Sequence, residues 1–172
     1  MDWCVLFVQT GKENMVQKKL NFLFGKYALS SYVPERLLPE RRLGTIEYVS
    51  KIMFPGYVFI KAYQDKTLFN RLKDIPGCYR VLGNDSYFSR VPPEEMFLIT
   101  KLAGDKEVID ISRIYIINSK VVVESGPLQG LEGIIKKIDP RKKRAKILLN
   151  IAEKPKTIDV GIEVISKVVN SV

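Results

Sequence analysis

Histidine is missing altogether from the 172 residues. The commonest general base and the commonest metal ligand are therefore absent. Cys4 and Cys78 are the two cysteines, too few and too far apart for a zinc site of ordinary spacing. One lies in an apolar run and the other after Pro76-Gly77, so both read as small buried residues of a protein in a reducing cytoplasm. There is no Gly-rich phosphate loop followed by Lys-Ser or Lys-Thr, and no nucleophile elbow. Glu94 and Glu95 are adjacent, and a helix points neighbours in different directions, so they form no acid–base pair. No apolar run reaches the roughly twenty residues of a membrane-spanning helix. The opening Met1-Asp2-Trp3 lacks the basic region of a secretory signal. These absences argue against an enzyme, a cofactor or metal site, and a membrane protein. They leave a cytoplasmic binding protein as the expectation.

What is present in excess is positive charge, +9 net. That balance favours anionic partners, nucleic acid first. Apolar patterning centres on Lys51-Ile52-Met53-Phe54-Pro55-Gly56-Tyr57-Val58-Phe59-Ile60-Lys61. Tyr57 to Ile60 is short, aromatic and β-branched, and reads as a buried strand. Pro55 cannot donate to a ladder, so the strand is expected to start at Gly56 or Tyr57. Two readings then stand for Phe54 and Tyr57: core rings, or an exposed patch that docks a partner.

Around this stretch, Trp3 to Val8 reads as a central strand. Thr10-Gly11-Lys12-Glu13 has the pattern of a capping box. Val16, Leu20, Leu23 and Phe24 recur at helical spacing, with Gly25 as the stop. Lys12, Lys18 and Lys19 on that helix are a solvated face or a nucleic-acid contact. Leu29 to Val33 is a second strand, and Pro34 to Ser50 an exposed loop or hairpin turning near Gly44. Asp65 is placed to cap a short helix that buries Leu68, Phe69, Leu72 and Ile75. Cys78 to Leu82 reads as a strand ending at Gly83-Asn84-Asp85, and Pro92-Pro93 begins a further helix. This order predicts an α+β sandwich, an antiparallel sheet covered by helices.

The pattern changes after residue 105. Residues 106–117 read as a linker whose apolar side chains pack in part on a domain. From residue 118 the signal is all β: five short strands with turns between, as in a small closed barrel. The expected domains are therefore 1–105 and 118–172.

Lys120-Val121-Val122-Val123-Glu124-Ser125-Gly126-Pro127-Leu128-Gln129-Gly130-Leu131-Glu132-Gly133-Ile134-Ile135 resembles the KOW motif of transcription elongation factors and some ribosomal proteins. Gly126 is expected to allow a tight turn, and Gly133 a close backbone approach. Phe54-Pro55-Gly56-Tyr57-Val58-Phe59, preceded by the Trp3-to-Val8 strand and its helix, resembles the N-terminal domain of the NusG family. The resemblance implies a NusG-type α+β domain followed by a five-stranded KOW barrel, in a monomer without cofactor. It implies binding of RNA polymerase at the clamp helices of its largest subunit through Met53, Phe54, Pro55 and Tyr57. A second contact to the other large subunit falls on Thr67, Leu68 and Phe69. Clamp closure would suppress pausing and termination, an allosteric effect on the polymerase.

The chain looks most like the specialised paralogues of the RfaH and LoaP type. Where the family carries an aromatic for Rho and ribosome contacts, this chain has Ala152. The second domain instead gains Lys136, Lys137, Arg141, Lys142, Lys143, Arg144 and Lys146. Residues 118–172 hold 11 basic and 6 acidic side chains, against 17 and 13 in the longer remainder. This cluster reads as a solvated turn or as a phosphate-binding hairpin. RNA is the expected ligand because the resemblance places this barrel where nascent RNA leaves the polymerase, and a structured leader hairpin is its expected form because exposed rings for stacking single-stranded bases are lacking. Non-template DNA is a further candidate partner. The competing function is a KOW-containing protein that binds ribosome or RNA structure without polymerase. The strands' β-branched residues predict a stable barrel rather than a helical alternative.

Overall fold

In the computed structural model, strand β1 (Asp2–Phe7) lies inside a four-stranded sheet of order β2-β5-β1-β6, formed with β2 (Leu29–Tyr32), β5 (Tyr57–Ala62) and β6 (Phe88–Arg90). The structure describes residues 1–63, 66–79 and 88–166, without the side chains of Lys26, Tyr27, Phe69 and Phe88. The expected cap at Asp65, the strand beyond Tyr79 with its Gly83-Asn84-Asp85 turn, and Lys167 lie outside the described residues.

β1 pairs antiparallel with β5, Cys4 opposite Ile60 and Leu6 opposite Val58. Side chains alternate across a strand, so the sheet has two faces. Cys4, Leu6, Val58, Ile60 and Ala62 join one apolar cluster with Val16 and Leu20 of α1 (Glu13–Ala28) and Leu68 and Leu72 of α2 (Lys66–Lys73). The alternate positions carry rings. Trp3 stands edge-on to Tyr32 at 6.4 Å, and Phe7 edge-on to Tyr57 at 5.3 Å. Fully burying one large aliphatic side chain contributes about 1.5–3 kcal/mol, so the cluster is a main source of stability.

Helix α1 departs from expectation at its start and breaks at the expected glycine. Lys12 is the N-cap and makes no side-chain cap bond. Gly25 breaks the helix (φ 64°, ψ 164°), and a short turn continues to Ala28. Leu23 is largely exposed, while its carbonyl accepts a bond from Arg71, whose guanidinium lies 4.2 Å over the Phe24 ring.

The chain divides into two compact units: Met1–Pro34, Ile52–Ile99 and Asn150–Lys154 in one, Glu35–Lys51, Thr100–Leu149 and Pro155–Val172 in the other. Strands β3 (Glu35–Arg42) and β4 (Thr45–Ile52) form the hairpin expected here, turning at Leu43-Gly44. Both turn residues have positive φ, as the right-handed twist of a two-residue hairpin turn requires. β3 also pairs parallel with β7 (Val108–Ile109), so residues 35–51 group with the second unit rather than the first. Helix α3 (Pro93–Ala103) begins at the expected proline and buries Met96, Ile99 and Leu102.

The residues read as a linker are largely structured. β8 (Ser112–Ile117) is an inner strand of a curled five-stranded sheet of order β10-β11-β12-β8-β9. Its other strands are β9 (Lys120–Ser125), β10 (Ile135–Asp139), β11 (Arg144–Ile151) and β12 (Lys154–Val164). Asn118-Ser119 and Ala152-Glu153 make further two-residue turns with positive φ. Gly126 turns as expected (φ 98°), and a Cβ there would lie 2.7 Å from the Ser112 backbone. The close-approach glycine is Gly161, not Gly133. A Cβ on Gly161 would meet the Leu37 carbonyl at 2.6 Å, whereas Gly133 faces open space.

Candidate nucleic-acid and partner surfaces

Two turns carry the residues singled out by sequence. In the first, Phe54-Pro55-Gly56-Tyr57, the Tyr57 N–H donates to the Phe54 carbonyl at 3.1 Å, and Gly56 has φ 83°. Proline second and a left-handed glycine third define a type II turn. The Gly56 carbonyl accepts from Val8 N–H at 2.9 Å, tying the turn to the end of β1.

Behind this turn sits Glu13, 1% exposed. Its Oε1 accepts from the Gly56 N–H at 2.6 Å and its Oε2 from the Gly11 N–H at 2.8 Å. The capping box predicted for Thr10 and Glu13 is thus replaced by a carboxylate that ties the Gly11 loop to a turn 43 residues beyond Glu13 itself. Charge-assisted bonds of this kind run about twice the strength of neutral ones. Sequence reasoning placed Glu13 at the helix start but missed this role. No local pattern reports a contact of such separation.

The structure scatters the expected polymerase-contact residues between core and surface. Met53 and Phe54 are buried, Phe54 at 3% exposure with its ring edge-on to Phe59 at 5.6 Å. Tyr57 is half-buried against Phe7, and Pro55 is exposed. Thr67 is exposed and Leu68 buried, while the Phe69 side chain lies outside the described residues. Lys12 and Lys18 are exposed and Lys19 half-buried, at the start and along the first turns of α1. Burial pushes the Cys78 thiol up to about 11, so little of it is thiolate near neutral pH.

The second turn joins β10 to β11. The Asp139 carboxylate accepts from the Lys142 N–H at 3.0 Å, and Lys143 takes a left-handed conformation (φ 52°). Its carbonyl accepts from Ile162 N–H at 3.0 Å, which fixes the turn against β12. The seven basic residues predicted here divide into two kinds. Lys146 is held by Asp159 at 2.8 Å. Arg144 lies 3.9 Å from Asp159 and donates to the Pro39 carbonyl at 3.2 Å. By contrast Lys136, Lys137, Arg141, Lys142 and Lys143 have no carboxylate partner among the described residues.

Arg141 to Arg144 form one wall of a cleft of about 620 Å³ whose other wall is Pro39, Glu40, Arg41 and Ile46 of the hairpin. Glu40 is engaged within the hairpin, 2.8 Å from Lys51 and 3.6 Å from Arg42. The Lys51 hydrogen bond holds its carboxyl below the usual carboxylate range. A smaller groove continues past Lys137, Asp139, Lys142 and Lys146. Among the described residues no group of three or more acidic or cysteine side chains is placed to hold a metal ion.

The chain thus contains an α+β unit sealed around an aromatic turn, and a curled β-sheet bearing cations without carboxylate partners among the described residues. Comparison with known proteins gives the family. Residues 1–100 match the family described as "Transcription termination factor nusG". "Transcription termination/antitermination protein NusG" of Rickettsia felis is 23% identical over 171 residues, covering 96% of this chain and 89% of that protein. The protein of the same name from Bacillus subtilis is 22% identical, covering 96% and 98%. The fold is that of a structure solved as "Domain interaction in Thermotoga maritima NusG" (TM-score 0.54, 20% identity, 93% of each chain). The chain belongs to the NusG family and is a transcription termination/antitermination factor.

Proposed function

We propose that this chain is a non-catalytic elongation and antitermination factor of the specialised RfaH and LoaP type, working in the cytoplasm as a monomer. Its N-terminal domain, roughly residues 1–105, binds the clamp helices of RNA polymerase and suppresses pausing and termination. Its KOW-like domain, residues 118–172, is recruited by a structured leader RNA. The observation that carries the reading is the β10–β11 turn. Arg141, Lys142 and Lys143 stand there without carboxylate partners on a fixed backbone. Point charges of this kind suit phosphates. Ala152, in the two-residue turn after β11, offers no ring as a docking anchor for Rho or ribosome. At the polymerase surface the half-buried Tyr57 and exposed Pro55 make the contact, while Met53 and Phe54 support the turn from within.

Terminator readthrough with purified cognate polymerase tests this. One template carries the leader upstream of the neighbouring gene cluster, and a second carries it with its hairpins scrambled. Readthrough that needs both protein and intact leader is the expected result. Equal readthrough on both templates replaces recruitment with a general NusG-like action. No effect on either, with RNA binding retained, moves the function outside polymerase.

A further inference from the structure

The unpaired cations of the β10–β11 turn do not face open solvent alone; a second element rises opposite them. Arg41 on β3 lines the same cleft as Arg141, Lys142 and Lys143. It too has no carboxylate partner among the described residues, although Glu40 precedes it in the chain. Glu40, the one acid in the cleft lining among the described residues, is occupied by Lys51 and Arg42 and so is already neutralised. The two walls are fixed to each other. Arg144 reaches across to the Pro39 carbonyl, and Gly161 leaves just enough room for the Leu37 carbonyl. Four unanswered cations around one narrow space repel each other, and an anion entering the space relieves that repulsion.

We propose that the β3–β4 hairpin is the second wall of a groove that grips an RNA backbone, with Arg41 contacting phosphate opposite the β10–β11 turn. This rests on the turn being an RNA contact, and adds an element that the turn alone does not include. The lining holds no aromatic ring, and Pro39 and Ile46 are its apolar members, so the groove takes phosphates rather than stacked bases. Paired RNA, which presents its backbone and hides its bases, is the form that fits. RNA is preferred to DNA because the groove is continuous with the turn assigned to the leader.

The test measures binding of the full chain to a fully paired RNA hairpin, and to a DNA hairpin of the same sequence, across a salt series. Each phosphate contact contributes roughly 0.9 to the slope of log affinity against log salt. Arg41→Ala is expected to lower the RNA slope by about one unit and to weaken binding about fivefold near 0.15 M salt. Arg41→Lys keeps the point charge and restores the slope. Lys101→Ala removes a like charge from an exposed residue of α3, outside the cleft lining, and leaves the slope as in the parent. Circular dichroism confirms that each variant is folded. If Arg41→Ala binds like the parent while Arg141→Ala loses affinity, the hairpin wall is refuted and the RNA reading of the turn stands. If neither variant changes binding, the turn itself is no RNA contact and both ideas fall. Tighter, Arg41-dependent binding of the DNA hairpin overturns the choice of RNA.

Discussion

The Phe54–Tyr57 turn and the Pro140–Lys143 turn are both tight, left-handed at one residue, and anchored by an acidic side chain. They differ in what the remaining side chains do. In the first, Glu13, Phe59 and Phe7 fill the space behind the turn, and the most conspicuous ring, Phe54, is consumed by the core. In the second, one carboxylate orders the backbone and the cations are left unanswered. Aromatic rings serve core and interface equally well, so an aromatic motif does not by itself announce a surface. Exposed charge contributes little to folding, so the cations of the second turn have no structural role to set against the proposed RNA contact.

The largest effect expected is on stability at the first turn. Phe54→Ala should cost about 3–5 kcal/mol, read as a shift in the denaturation midpoint. Tyr57→Ala should cost only about 1 kcal/mol, for the lost edge-to-face contact and part of its burial, while weakening polymerase binding. A Phe54→Ala protein of parental stability that no longer binds polymerase would reverse the comparison and make Phe54 an interface residue.

At the second turn the signs exchange. Replacing Arg141, Lys142 and Lys143 together by alanine should lower RNA affinity about a hundredfold near 0.15 M salt and the salt slope by roughly three units. Stability should stay within about 0.5 kcal/mol, as for surface substitutions generally. An unchanged slope would remove the phosphate contacts.

Glu13→Gln sharpens the first turn further. The amide nitrogen cannot accept, so one of the two backbone N–H groups, Gly11 or Gly56, loses its partner. The expected loss is about 1–3 kcal/mol with RNA binding untouched. A neutral outcome would mean that the turn holds its shape without the carboxylate.

These tests follow the line between what was and was not legible in the residues. The β5 strand, the hairpin turn at Gly44, the start of α3 at Pro93 and the tight turn at Gly126 were readable, because each is set by neighbours in the chain. The role of Glu13 was not, since its partner Gly56 is supplied by a distant loop. Ser112–Ile117 read as a linker because its apolar residues show no clean period. It is an inner strand between β12 and β9, and a strand with neighbours on both edges gains from tertiary pairing what its local pattern lacks. Gly161, rather than Gly133, meets another backbone because β3 passes there. The cations were readable as a run, but their division into engaged and free depended on where Asp159 fell.

Lys146 gives the finest test of that division, because it belongs to the basic cluster by sequence and to an ion pair by structure. Its hydrogen bond, with the charges of Lys146, Arg144 and Arg36 behind it, holds the Asp159 carboxyl below its ordinary 3.8. A carboxylate with a folded value below its unfolded one adds stability that is complete above the unfolded value. That stability is lost as pH falls through the folded value, so the effect appears below about pH 4. Lys146→Met removes the leading cause and should flatten the acid-side fall in denaturation midpoint. Because Asp159 already occupies this lysine, the same substitution should lower the RNA salt slope by less than Lys142→Met does. A full unit lost at Lys146, with acid stability unchanged, would show that the pair opens for phosphate and that the engaged and free cations form one surface.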